Sequence, residues 1–226
     1  MIIQIYAIVS IEDTTALCKL GVDHIGTVVS WNGDEKRGIV SAGRAKEIIK
    51  TVRKYGKIST VIVDTADLRE IMRYTEELKM DILHICHKMP LGELKKLKEF
   101  LKKLNIKLMY AIPVIDKNSI TSAKEVERFA DFIILDSPFK SKQMNGFIGA
   151  TGKTHDWNIS AEIVNSVKKP VILGGGLSPE NVINAIEKVR PYGVDAKTSL
   201  DLPDGSGKKD IKKVELFVRK VREIET

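Results

Sequence analysis

Long apolar runs, cysteine and glutamine are all scarce in this chain of 226 residues. No apolar stretch approaches the roughly 20 residues that cross a bilayer as a helix. The opening segment, Met1 to Ser10, has neither the basic n-region nor the small-residue cleavage site of a secretory signal, so the cytoplasm is the expected location. Cys18 and Cys86 are the only cysteines, too far apart for a disulfide framework or for the paired ligands of a zinc site, which points to a reducing compartment and to no bound metal. Two glutamines stand against many lysines and glutamates, a balance that leans towards a thermophilic source. Aromatic residues make up only 6%, and no aromatic stacking platform accompanies the basic segments. The formal charge of +7 is carried instead by amphipathic stretches such as Leu94 to Leu104, where lysine interleaved with glutamate reads as a solvated helix face. Neither nucleic acid nor membrane is expected as a partner.

A hydrophobic content of 43% suits one globular domain spanning residues 1–226. Short β-branched runs alternate with longer segments of helical period. The predicted strands are Ile2 to Val9, Asp23 to Ser30, Ser59 to Thr65, Asp81 to His87, Lys107 to Val114, Asp131 to Asp136, Pro170 to Gly174 and Gly193 to Lys197. Helices are expected to begin near Ile11, Ser41, Asp67, Pro90, Ser122, Ser160 and Ser178, with a last one over Lys209 to Glu225. Ser178 before Pro179 reads as a cap followed by proline at the first helical position. Strands apolar on both faces, such as Phe132-Ile133-Ile134-Leu135, belong to parallel sheets covered by helices. Eight such units in this length predict a single (β/α)8 TIM barrel of the α/β class, with a doubly wound open sheet as the alternative. Two long polar loops, Trp31 to Val40 and Ser137 to Asn158, follow strand ends on the face where barrel enzymes keep their sites.

Two nucleotide motifs are absent on inspection. Gly152-Lys153-Thr154 resembles the end of a Walker A loop, but Phe147 occupies the position of the leading glycine. Gly174-Gly175-Gly176 lacks dinucleotide-fingerprint spacing, so no nicotinamide cofactor is implied. The glycine run still ends the seventh strand and precedes a helix, where open backbone N–H groups can approach an anion. With Lys197-Thr198-Ser199 after the eighth strand, Gly175 and Gly176 complete a candidate phosphate site in the place where barrels frequently build one. A small phosphorylated substrate is the expected partner.

Four segments carry a resemblance: Ile134-Leu135-Asp136-Ser137, Gly149 to Trp157, Gly175 to Val182, and Gly193-Val194-Asp195. In order and spacing they are similar to signatures of phosphoribosylanthranilate isomerase, strongly from Asp131 onwards and faintly at Ile5 to Val9 and Gly21 to Val29. The resemblance implies a cofactor-free Amadori rearrangement of an N-(5-phosphoribosyl)-amine in tryptophan biosynthesis. It implies Asp136 as catalytic acid, Arg37 as holder of the anthranilate carboxylate and Asp195 as a substrate-binding carboxylate. The chain departs from the family at the first strand, K-I-C-G-I-T there and Gln4 to Val9 here, so Tyr6 stands in place of the cysteine that acts as general base. Tyrosine, with an ordinary pKa near 10, is a poor base at neutral pH. The base then falls to Tyr6, to Cys86 or to another group. On the fourth strand the family's glutamine and histidine are replaced by His84 and Cys86, which share a face by the period of two. That places His84 among substrate-binding candidates and in position to favour a Cys86 thiolate, with a small buried core pair as the alternative. Other readings of the whole chain are a family member with a different phosphosugar substrate and a non-catalytic phosphometabolite-binding protein.

Overall fold

The β-branched runs become eight parallel strands, each followed by a helix, in a computed structural model that describes residues 1–33, 37–138, 152 and 154–224. The strands are β1 (Ile2–Ile5), β2 (His24–Val29), β3 (Ile58–Val63), β4 (Ile82–Ile85), β5 (Lys107–Pro113), β6 (Phe132–Asp136), β7 (Val171–Leu173) and β8 (Gly193–Ala196). They pair in sequence order, and β8 returns to β1 with Ile2 opposite Gly193 and Ile5 opposite Ala196, which closes the barrel. The doubly wound alternative is thereby excluded. The helices are α1 (Ile11–Lys19), α2 (Ala42–Lys54), α3 (Leu68–Leu78), α4 (Leu91–Leu104), α5 (Asn118–Val126), α6 (Trp157–Ser166), α7 (Val182–Val189) and α8 (Ile211–Glu223).

Outward strand residues and inward helix faces make the larger core. In α8 the buried residues Val214, Phe217, Val218 and Val221 recur at the spacing of one helix face. Inside the barrel a second apolar cluster joins Ile82, Cys86, Met109, Ala111, Ile134 and Ile172. The inward positions above and beside it are polar, namely Gln4, Tyr6, His24, Thr60, His84, Asp136 and Asp195, and strand pairing brings Gln4 level with both His24 and Asp195.

Several element boundaries differ from the sequence reading, each for a local reason. Strand β1 stops at Ile5 and not at Val9, because Ala7 adopts a left-handed φ of 59° that no ladder accommodates. Helix α5 starts at Asn118, where Asp116 accepts the Asn118 N–H at 2.8 Å, and not at Ser122. Helix α6 starts at Trp157 with Asp156 as its cap, leaving Ser160 buried within the first turns. The Ser178 hydroxyl accepts the Glu180 N–H at 3.2 Å in a turn that precedes α7, and the helix proper begins at Val182. No helix is long and apolar enough to cross a membrane among the described residues.

Candidate active site

The glycine run after β7 and the turn after β8 lie side by side at the C-terminal ends of the strands. Gly175 and Gly176 both have left-handed φ values, 78° and 65°. At Gly175 space is equally decisive: a Cβ would come within 2.7 Å of both His155 Nδ1 and Ser137 Oγ. Those two side chains brace the loop from β6, Ser137 Oγ lying 3.4 Å from His155 Nδ1 and His155 Nε2 lying 2.8 Å from Ser160 Oγ. Burial lowers the His155 pKa to about 4, so the brace is neutral at physiological pH. On the other side Asn181 fastens the turn, its Nδ2 donating to Gly176 O at 3.0 Å and its Oδ1 accepting from Ser178 N at 2.9 Å.

After β8, Thr198 to Leu200 form a short 3-10 turn, and Ser199 Oγ donates to Leu177 O at 2.5 Å, joining it to the β7 loop. Beneath it lies Lys209, whose side chain is fully buried. Its Nζ donates to Asp201 Oδ1 at 2.5 Å and approaches Lys197 O at 3.5 Å. The pairing resolves an otherwise costly buried charge and fixes the backbone of the turn.

The two loops border a cleft lined by Asp136, Gly152, Gly175, Gly176, Asp195, Ala196, Lys197, Thr198 and Ser199. Two carboxylates and one lysine therefore face the same space. Asp136, at the end of β6, has its pKa raised to about 6 by burial, against the Ser137 N–H that its Oδ1 accepts at 2.7 Å and the charge of Lys197. Asp195, on β8, is raised to about 7, first by burial and then by the negative charge of Asp136, while Gln4 and the two lysines oppose the shift. Gln4 Nε2 donates to Asp195 Oδ1 at 3.0 Å, and Gln4 Oε1 lies 3.2 Å from His24 Nδ1. Because the His24 pKa is lowered by burial to about 4, His24 is neutral, and Nδ1 carries the hydrogen that Gln4 accepts.

The first- and fourth-strand candidates lie deeper and outside this lining. The Tyr6 ring covers Gly26, where a Cβ would sit 2.6 Å from ring atoms. Its hydroxyl is 2.9 Å from His84 Nδ1, and the two rings meet edge to face at 5.2 Å. Burial raises the Tyr6 pKa well above its ordinary value and lowers that of His84 to about 3, so both are neutral. His84 thus bonds Tyr6 and is not the thiolate-promoting cation that its position two residues before Cys86 suggested. Cys86 sits in the barrel's apolar cluster, where burial, reinforced by Asp64 and Asp136, drives its pKa upward. Arg37 is at the same end of the barrel but half exposed, its Nη2 4.0 Å from Asp201 Oδ2, against a groove formed with Gly38, Arg44 and Gly205. Residues 139–151 and Lys153, which carry part of the resembling segment from Gly149 to Trp157, lie outside the described residues. No group of three or more His, Cys, Asp or Glu suited to a metal ion occurs among the described residues.

Residues 3–220 match the family model described as N-(5'-phosphoribosyl)anthranilate isomerase. The chain belongs to that family. It is 35% identical over 225 residues to N-(5'-phosphoribosyl)anthranilate isomerase 2 of Methanosarcina mazei, a match covering 98% of this chain and 94% of the relative. Among solved structures it superimposes on the phosphoribosyl anthranilate isomerase of Thermotoga maritima with a TM-score of 0.81 at 22% identity, covering 99% of this chain and 100% of the other. A phosphoribosyl anthranilate isomerase solved in complex with reduced 1-(o-carboxyphenylamino)-1-deoxyribulose 5-phosphate gives a TM-score of 0.78 at 20% identity, again covering 99% and 100%. This member of the family carries an acidic residue, Asp136, at the end of β6, a glycine turn after β7 and a tyrosine, Tyr6, just after β1.

Four participants were not singled out by the sequence. Gln4 was detectable, since it lies two residues from Tyr6 on the same strand face. His155 and Ser137 fall within a resembling segment, but nothing local tells that they prop a glycine. Lys209, in a charged C-terminal stretch, carries every sign of a surface lysine.

Proposed function

We propose that this chain is an aldose–ketose isomerase that converts N-(5-phosphoribosyl)anthranilate to its 1-amino-1-deoxyribulose phosphate by Amadori rearrangement in tryptophan biosynthesis. The observation that carries the reading is one cleft holding both an anion cradle and two carboxylates of raised pKa. The substrate phosphate is anchored by the backbone of Gly175 and Gly176 and the turn Lys197-Thr198-Ser199, where open N–H groups and one cation meet. Fixing the phosphate presents the ribose ring to Asp136.

Asp136 is the general acid. It gives its proton to the ring oxygen as the C1–O bond breaks, producing an open-chain iminium. An ordinary aspartic acid is protonated roughly once in a thousand molecules or less at pH 7, whereas at a pKa of about 6 roughly a tenth retain the proton. The rearrangement oxidises C2 as it reduces C1, so its electrons balance within the substrate. Arg37 is taken as the partner of the anthranilate carboxylate, a task suited to a planar fork of donors. The cytoplasm, where phosphorylated metabolites are retained, is the proposed location, and the two free buried thiols accord with it.

Tyr6 in place of the first-strand cysteine favours a second reading, a relative that retains phosphometabolite binding with another substrate or with no turnover. The test is an isomerase assay of the purified chain on N-(5-phosphoribosyl)anthranilate with Asp136→Asn beside it. The expected result is turnover in the parent and a loss of roughly 10²–10⁴-fold in kcat for the variant. Absence of turnover in the parent together with tight binding of the phosphorylated product analogue selects the second reading.

A further inference from the structure

The rearrangement proposed above requires a base for the C2 proton, and the barrel offers four groups in its upper interior: Tyr6, His84, Cys86 and Asp195. Only the last lines the cleft. Tyr6 is 5% exposed and bonded to His84, Cys86 is 5% exposed among aliphatic side chains, and His84 directs Nδ1 at the Tyr6 hydroxyl. Around Asp195, by contrast, one oxygen is held and the other has no hydrogen-bond donor among the described residues. Oδ1 accepts from Gln4 Nε2 at 3.0 Å, whereas Oδ2 lies beside Gly174, 3.5 Å from where a Cβ would stand. A glycine at that position places no side chain against Oδ2.

We infer that Asp195 is the general base of this isomerase, taking through Oδ2 the proton that its relatives assign to a first-strand cysteine, while Gln4 positions it. The inference rests on the isomerase reading given above. The cycle begins with Asp136 protonated and Asp195 ionised. Asp136 delivers its proton to the ring oxygen and becomes the anion, leaving the substrate as an iminium. Asp195 then removes the C2 proton, the C–H electron pair becomes the C1=C2 bond, and the iminium electrons return to nitrogen. The neutral enolamine tautomerises to the ketone as O2 loses a proton and C1 gains one. At the end Asp195 holds the proton taken from C2 and Asp136 is the anion, its own proton remaining on the product's ring-opened hydroxyl; passage of a proton from Asp195 to Asp136 across the cleft resets the pair.

The electrostatics agree with this geometry. A pKa of about 7 leaves Asp195 half ionised at neutrality, close to the optimum for a base working at that pH. A tyrosine raised above 10 is ionised in fewer than about one molecule in a thousand at pH 7. The Cys86 thiol is raised in the same direction, and His84, with a pKa of about 3, is too weak a base to hold a carbon-bound proton. Because Asp136 adds to the Asp195 shift, the two titrate as a coupled pair; the single proton rests mainly on Asp195, and the active form is the minor tautomer with the proton on Asp136.

The decisive comparison uses the full chain and its Asp195→Asn, Asp195→Glu, Tyr6→Phe and Cys86→Ser variants, with kcat and KM measured from pH 5 to 9. Rates with C2-deuterated substrate and calorimetric binding of reduced 1-(o-carboxyphenylamino)-1-deoxyribulose 5-phosphate complete the set. Asp195→Asn is expected to lower kcat by at least 10³-fold, to lose the acidic limb of the pH profile and to bind the analogue within about threefold of the parent. Asp195→Glu restores part of the rate with a displaced acidic limb, and the parent shows a primary isotope effect on kcat/KM. A parallel rise of KM and analogue Kd in Asp195→Asn, with kcat nearly intact, reduces Asp195 to a substrate ligand and overturns the assignment. A 10³-fold loss in Tyr6→Phe or Cys86→Ser overturns it too. A parent that binds the analogue without turnover defeats the isomerase reading itself, a result distinct from either.

Discussion

The mouth of the barrel has two unlike halves. Around β6, β7 and β8 it is open and hydrophilic: glycines in left-handed conformations, a lysine, two hydroxyl residues and two carboxylates border one cleft. Around β1 and β4 it is closed, because the Tyr6 ring lies across Gly26 and locks to His84, while the Cys86 thiol is packed among apolar side chains. Bulk makes the difference. Tyr6 fills volume that a shorter side chain at this position would leave open, and the groups that line the cleft lie on the opposite arc.

The largest effect that sharpens this contrast is expected at Gly175. Alanine there combines left-handed φ, costing about 1–2 kcal/mol, with contacts of 2.7 Å to His155 and Ser137. Affinity for inorganic phosphate, measured by calorimetry, is expected to fall at least tenfold while the far-UV spectrum of the barrel persists. Unchanged affinity moves the anion site elsewhere.

Next in size is a stability effect from Asp195→Asn that depends on pH. With a native pKa of about 7 against about 3.9 unfolded, the native state binds more protons over that interval, so this group destabilises the protein progressively as pH rises from 4 to 7. The asparagine variant is expected to melt level with the parent at pH 4 and higher at pH 8, by an advantage bounded at about 4 kcal/mol. A gap that shrinks with rising pH refutes the raised pKa.

Smaller still is the effect expected from Cys86→Ser on the closed side. It should change kcat/KM less than threefold, while the buried hydroxyl, lacking an acceptor among aliphatic neighbours, lowers stability by about 1–3 kcal/mol in a denaturation series. A large kinetic effect at unchanged stability makes the thiol a participant and erases the contrast. The smallest effect is that of Ala7→Gly. Relief of the left-handed φ of 59° is partly offset by the greater freedom of an unfolded glycine, so a gain of about 0.5–1 kcal/mol is expected from the same denaturation series.

How much of this was legible in the sequence differs between elements and contacts. Strands such as Phe132 to Asp136 were readable almost to the residue, since apolar β-branched runs bounded by turn signals admit few alternatives. Helix starts were less so. Ser122, Ser160 and Ser178 carry capping chemistry, yet Asp116, Asp156 and the Ser178 to Asn181 turn took the local roles, because several side chains near each boundary compete for the same N–H groups. The candidates Asp136, Asp195, Gly175, Gly176 and Lys197 to Ser199, named from the sequence, lie together around one cleft. Their coupling was not visible, because the support of Asp195 by Gln4 joins positions separated by 191 residues. The partnership of Tyr6 with His84, 78 residues apart, was hidden for the same reason, and strand periodicity alone suggested the wrong neighbour for His84.

The pairing of β1 with β8 also bears on how the protein is made. Ile2 to Ile5 are synthesised 191 residues ahead of their partners Gly193 to Ala196. Until then one edge of a hydrophobic strand lacks its final neighbour, a template for pairing with other nascent chains. The same late segment supplies Asp195, Lys197 and Ser199, and Arg222 of α8 reaches back to Asp23 at 2.6 Å and to the carbonyl of Met1. Translation that stalls before residue 193 therefore yields a chain whose barrel is unclosed and whose cleft lacks Asp195, Lys197, Thr198 and Ser199.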